Sequence, residues 1–228
     1  NDASLAIGAN PAALSNLALW LDASDLTSAA STWNDASGNA NHASKNGSPS
    51  IASASNGLSV MRYSGTSGEY HSFPRMTDIR TVFWVLKKTG SNANMIMLGD
   101  SASGNTYHFH PNGSSAMWSS QYADSSVRGG TTKINGSTVN GTSTGIPTTF
   151  SVVSLKTTGN VTASNFSNDR EIESSGVNRV FEGDLGELLI FNTALSDSDM
   201  AKIEGYLAHK WGLTSSLPSN HTHKTVSL

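Results

Sequence analysis

Phe181-Glu-Gly-Asp-Leu-Gly-Glu-Leu-Leu-Ile-Phe-Asn-Thr-Ala-Leu-Ser-Asp197 leads into a segment that ends His209-Lys-Trp-Gly212, and this stretch decides the fold. The first part reads as a buried strand ending at Phe191-Asn192. Ser196 then stands as N-cap of a helix with Asp199 at N3, an aspartate form of the capping box. Met200, Ile203, Leu207 and Trp211 recur at spacings of three and four, so one face of that helix is apolar. Gly212, free to adopt a left-handed backbone, supplies the stop.

Working back from this end, the chain shows strand patterns at short intervals. Leu17-Ala-Leu-Trp-Leu-Asp22 alternates as a first strand, and residues 1–16 read as a leader or linker. Ser31-Thr-Trp-Asn-Asp-Ala-Ser-Gly-Asn-Ala-Asn-His42 is a strand end entering an Asn/Asp/Gly turn. Thr81-Val-Phe-Trp-Val-Leu-Lys87, β-branched and aromatic throughout, is the strongest central strand. Met95-Ile-Met-Leu-Gly99 is a further apolar run, Tyr107-His-Phe-His110 alternates, and Ala116-Met-Trp-Ser-Ser-Gln121 follows. Ile134-Asn-Gly-Ser-Thr-Val139 is a hairpin turning on Asn-Gly, and Phe150-Ser-Val-Val-Ser-Leu-Lys156 is a second central strand. Many strands and one late helix predict an all-β, antiparallel two-sheet jelly-roll sandwich, with residues 17–228 as one domain.

Composition agrees. The 228 residues are only 36% hydrophobic, which suits short strands joined by polar turns around a thin core. Five tryptophans, Trp20, Trp33, Trp84, Trp118 and Trp211, argue against disorder and are expected as core anchors. The net charge of −3 and pI near 6.1 leave no basic stripe for nucleic acid. No apolar run of about 18 residues suggests a membrane-spanning helix. The start at Asn1, without Met, reads as that of a fragment from a longer protein.

The blocks Gly183-Asp-Leu-Gly-Glu187 and Gly205-Tyr-Leu-Ala-His-Lys-Trp-Gly-Leu213, with the opening WLDASD…WNDASGNANH, closely resemble the laminin-G-like, concanavalin-A-like jelly-roll domains of large secreted bacterial proteins. The less generic middle, from about Gly99 to Asp169, resembles the peptide-binding, lectin-like domains near the tips of giant repeats-in-toxin adhesins. The resemblance implies a non-catalytic, calcium-dependent binding domain, monomeric within a larger protein on a bacterial cell surface or secreted. Its partner would be an extracellular peptide, held by its terminal carboxylate, or a glycan on another cell. Zero cysteines accord with a bacterial exported domain that uses calcium rather than disulfides for rigidity. The alternative is a carbohydrate-binding module or accessory domain of a polysaccharide-degrading enzyme.

The candidate site lies in three polar loops, after Leu98-Gly99, at 121–132 and at 164–170, because functional residues concentrate on loops held by a rigid scaffold. Asp100, Asp124, Asn165 and Asp169 are candidate oxygen donors for calcium, which takes six to eight such ligands; the alternative is that they make turns. Asp100, Tyr122, Arg128 and the Gly129-Gly130 backbone are the candidate ligand contacts. Arg128 can fork onto a carboxylate, or it is a solvated residue at a hairpin tip. His108 and His110, at i and i+2, would share one side of a strand and could hold zinc, though polar-face histidines are commoner. For catalysis, a lectin-like glycosidase needs two carboxylates facing the same way. Glu171 and Glu173 alternate but sit at a loop edge, while Glu182, Asp184 and Glu187 belong to the structural block. Catalysis is the minor reading.

Overall fold

A computed structural model describes residues 10–102, 107–111, 116–170 and 179–225. Within them, β1 (Leu17–Asp22), β2 (Thr32–Trp33), β3 (Ala43–Asn46), β4 (Ser50–Ser53), β5 (Ser59–Ser64) and β6 (Tyr70–Lys88) come first. The short helix α1 (Ser125–Arg128) follows, then β7 (Thr131–Ile134), β8 (Ser137–Val139), β9 (Ser151–Phe166), β10 (Glu182–Phe191) and the helix α2 (Asp197–Lys210). All pairings between these strands are antiparallel, and the ladder runs β4-β5-β10-β6-β9-β7-β8. β1 pairs with β10, and β3 pairs with the start of β6. The β6–β9 register shifts repeatedly between Ser72 and Thr81. Such bulges let two long strands bend from one layer of the sandwich into the other.

The central strands are apolar at successive positions because both faces are covered. Val82, Trp84, Leu86, Leu188 and Ile190 point into the main core with Trp118, Phe109 and Phe166. Their neighbours Phe83, Val85, Leu189 and Phe191 point the other way, under α2. That helix follows its sequence closely. Ser196 Oγ accepts from the Asp199 N–H at 3.1 Å, and Met200, Ile203, Leu207 and Trp211 are buried in the second cluster. Gly212 closes it at φ 68°.

The opening and closing blocks meet in one buried polar network. Glu187 accepts from the indoles of Trp20 (2.8 Å) and Trp211 (2.7 Å) and from Lys210 Nζ (2.7 Å). Lys210 also pairs with Asp22 at 2.5 Å. Burial pushes the Glu187 carboxyl up to about 7 and the Asp22 charge adds to this, against Lys210 and the Trp211 indole. All three groups facing the carboxylate are donors, so the geometry is that of the ionised acid. Gly186 has no side chain because the Trp211 ring lies where a Cβ would project, 2.7 Å away. Asp184 is claimed by Arg62 at 2.7 Å and Lys87 at 3.3 Å. On the other side of β1, the Asp35 carboxylate gathers the N–H groups of Trp20, Ser37 and Asn41. Asn39 and Asn41 donate to the β1 carbonyls of Leu17 and Ala18, so the Asn/Asp/Gly turn covers an otherwise open strand edge.

Two expectations change. The runs 95–99, 107–110 and 116–121 form no strands among the described residues; only the single bridges Gly99–Asn165 and Ala116–Gly145 occur there. They are apolar because Met95, Met97, Leu98, Phe109, Met117 and Trp118 fill the core from loops. His108 and His110 therefore do not share a strand face. Of the 1–16 stretch expected as leader or linker, residues 1–9 lie outside the described residues, while Pro11 is buried and Leu14 rests on the helix-side core.

His71 on β6 is wholly buried, with Nδ1 2.7 Å from the Tyr63 hydroxyl and its ring edge-on to Trp33 at 5.3 Å. Burial pushes its imidazole down to about 4, and the Lys45 charge works in the same direction. The unfolded chain takes up this proton near 6.5 and the folded chain only near 4. Stability that is full above pH 6.5 is thus expected to fall by about 3 kcal/mol as pH drops to 4. Urea denaturation across that range checks this: His71→Gln should flatten the profile, and an unchanged slope in the variant would contradict the assignment.

Candidate functional site

The three predicted loops lie together at one rim. Gly99 N–H donates to the Asn165 carbonyl (3.1 Å), and the Ser164 and Asn165 N–H groups donate back to the Gly99 carbonyl. The Asn165 amide reaches Ser101 Oγ at 3.0 Å. Asp124 N–H donates to the His108 carbonyl (2.9 Å), and His108 Nε2 lies 3.5 Å from Asp100 Oδ2. The 107–110 segment thereby links the 121–132 loop to the other two.

Each candidate oxygen donor already has a partner. Asp100, 2% exposed, takes both Nε (3.0 Å) and Nη2 (2.8 Å) of Arg75. Burial pushes its carboxyl up, but the Arg75 and Ala102 hydrogen bonds and the Arg75 and His108 charges outweigh this and hold it low. Asp169 takes Arg179 Nη1 at 2.8 Å, with Arg170 Nη1 at 3.9 Å and His110 Nδ1 at 3.8 Å. It too is held low, because these neighbours outweigh the opposing burial. Asp124 Oδ1 caps α1 by accepting from Ser126 N–H (2.7 Å), and Asn165 Oδ1 accepts from Asn168 N–H (3.1 Å). Among the described residues no group of three or more His, Cys, Asp or Glu side chains is placed to hold a metal. Among the described residues the four expected ligands form ion pairs and caps in this arrangement, each through the contacts just given.

The expected ligand contacts divide. Arg128 donates to the carbonyl of Ser120 at 2.7 Å, within its own loop. Gly129 and Gly130 close α1, and a Cβ on Gly130 would meet the Lys156 carbonyl at 2.6 Å. These glycines serve close packing against the middle of β9, away from its Asn165 end. Tyr122 stays at the rim: it is the one large apolar side chain exposed among the described residues, at 50%. Its ring lies 5.4 Å from Tyr107 and 6.1 Å from His110. Arg170 stacks on the other ring, its Cζ 3.9 Å from the Tyr107 centroid, within reach of a cation–π contact. Burial pushes the His108 imidazole down with help from Arg75, against the pull of Asp100 and Asp124.

Sequence reasoning missed Arg75, Tyr107, Arg170 and Arg179. Arg170 had a local signal, since it follows the candidate Asp169. Arg75 had none, because its partner is 25 positions away. Glu171 and Glu173 lie outside the described residues. Elsewhere, Glu204 of α2 accepts from Ser154 Oγ (2.8 Å) and lies 3.4 Å from His221, while His209 Nε2 meets the His223 carbonyl. These histidines fasten the C-terminal tail to the helix. A separate cleft of about 460 Å³ is lined by Asp22, Asp25, Trp33 and Asn34 among others. No family model matches the chain, and neither does any curated protein or solved structure. No helix among the described residues is long and apolar enough to cross a membrane.

Proposed function

We propose that this chain is a non-catalytic ligand-binding domain of a secreted or surface-anchored bacterial adhesin that grips a peptide on another cell. The observation that carries this reading is the rim itself, where the buried Arg170 stacks on Tyr107 beside the exposed Tyr122 ring. Glycan binding usually needs flat exposed aromatics; Trp33, Trp84, Trp118 and Trp211 are buried and Trp20 donates inward to Glu187, which leaves Tyr122 as the one large exposed ring among the described residues. The block carboxylates Asp184 and Glu187 are buried in ion pairs, which supports a structural role over a catalytic one. The 460 Å³ cleft, with carboxylates and an amide that could bond sugar hydroxyls, is the observation favouring the second reading, a carbohydrate-binding module.

In this reading arginine, rather than the calcium that the resemblance implies, is the handle for the ligand, because the expected donors are engaged by arginine and backbone N–H. Paired peptide and glycan arrays, each run with calcium and with a chelator, test the proposal. Peptide binding without glycan binding is expected. Selective glycan binding would replace it with the second reading, and hydrolysis of a polysaccharide by the isolated domain would overturn both.

A further inference from the structure

Five of the eight buried side-chain nitrogens that lack a hydrogen-bond partner among the described residues sit at this rim: Nδ1 of His108, Nδ1 of His110, Nε and Nη1 of Arg170, and Nε of Arg179. Unpartnered buried polar groups are costly and rare in folded proteins, and the arginine nitrogens among these can only donate, so they call for an acceptor. The charges agree. Arg75 is satisfied bidentately by Asp100, and Arg179 takes the near oxygen of Asp169. Arg170 is left about nine-tenths buried, 3.9 Å from Asp169, the nearest carboxylate among the described residues and beyond hydrogen-bond distance. Of the arginines paired with Asp100 and Asp169, Arg170 alone has no carboxylate within hydrogen-bond distance among the described residues.

We propose that Arg170, supported by His110, binds a carboxylate of the ligand, and that Tyr107 and Tyr122 flank the apolar group next to it. This rests on the peptide reading above and assigns the anion to a guanidinium rather than to a metal ion or to Arg128. Tyr122 covers the Tyr107–His110 pair while remaining half exposed. A turn of its ring outward opens the way to Arg170, and the same ring then stacks on the ligand. A planar guanidinium already oriented by stacking suits a carboxylate, because little further ordering is needed to form the hydrogen bonds.

The test is a titration of the whole chain with N-acetyl-phenylalanine and with its amide, followed by the ring-proton NMR signals of Tyr107, Tyr122 and His110. A third ligand, N-acetyl-aspartyl-phenylalaninamide, separates a side-chain carboxylate from a terminal one. Saturable shifts are expected with a carboxylate ligand, weaker by about tenfold or more with the plain amide, and unchanged by EDTA. Arg170→Gln should erase the preference for acid over amide. Arg170→Lys, which keeps the charge but loses the planar fork, should retain part of it and guards against loss of fold. Equal binding of acid and amide, an unchanged preference in Arg170→Gln, stronger saturable binding of inorganic sulfate, or loss in EDTA with recovery on added calcium would each overturn the assignment. If the carboxylates bind here but no arrayed peptide does, the adhesin reading fails while the anion site stands.

Discussion

Glu187→Ala is expected to destabilise the fold by about 3–5 kcal/mol, because it leaves two indole N–H groups unsatisfied in a buried setting and Lys210 with Asp22 as its remaining carboxylate. The carboxylate is the one acceptor shared by Trp20 of β1 and by Lys210 and Trp211 at the end of α2. Its loss therefore loosens the first strand and the closing helix together. Glu187→Gln keeps the shape and one acceptor oxygen and should cost less. Adding Lys210→Met to Glu187→Ala should recover part of the loss, since the ammonium that lost its buried carboxylate disappears with it. Denaturant titration of the two single variants and the double variant checks this. Strictly additive losses would mean that the network is not a unit.

Gly99→Ala is expected to cost about 3 kcal/mol, the upper end for overpacking, and to disturb the rim more than the core. A Cβ there would lie 1.8 Å from the Asn168 carbonyl oxygen and 2.8 Å from that of Asp169. Both obstacles are backbone atoms, so relief requires the 165–170 segment to move away from Asp100. Binding at the rim should weaken along with stability. A variant as stable as the parent would show that the two loops are not in this close contact.

These two sites also mark how far the sequence could be read. The capped helix was legible to the residue, because capping and periodicity are local and Ser196, Asp199 and Gly212 lie in one continuous stretch. So was the hairpin on Asn135-Gly136, whose positive φ values of 48° and 77° suit those residue types. The loops at 95–99 and 107–110 were not, since a short apolar run looks alike whether it pairs in a ladder or plugs the end of a core. At the rim, the positions of Asp100, Asp124, Asn165 and Asp169 could be guessed from loop polarity. What they bind could not, because their partners Arg75 and Arg179 are set by tertiary contact. At Arg128 the adjoining glycines were legible as an open loop, and the structure adds that they let α1 close tightly on β9.

The most direct measurement of the central claim is backbone chemical-shift mapping with the strongest peptide from the array. The account predicts shifts concentrated at Ser101, residues 107–110, Tyr122 and residues 168–170, with α2 and the Asp22–Trp33 cleft unaffected. Shifts centred on that cleft or on α2, with the rim silent, would contradict it.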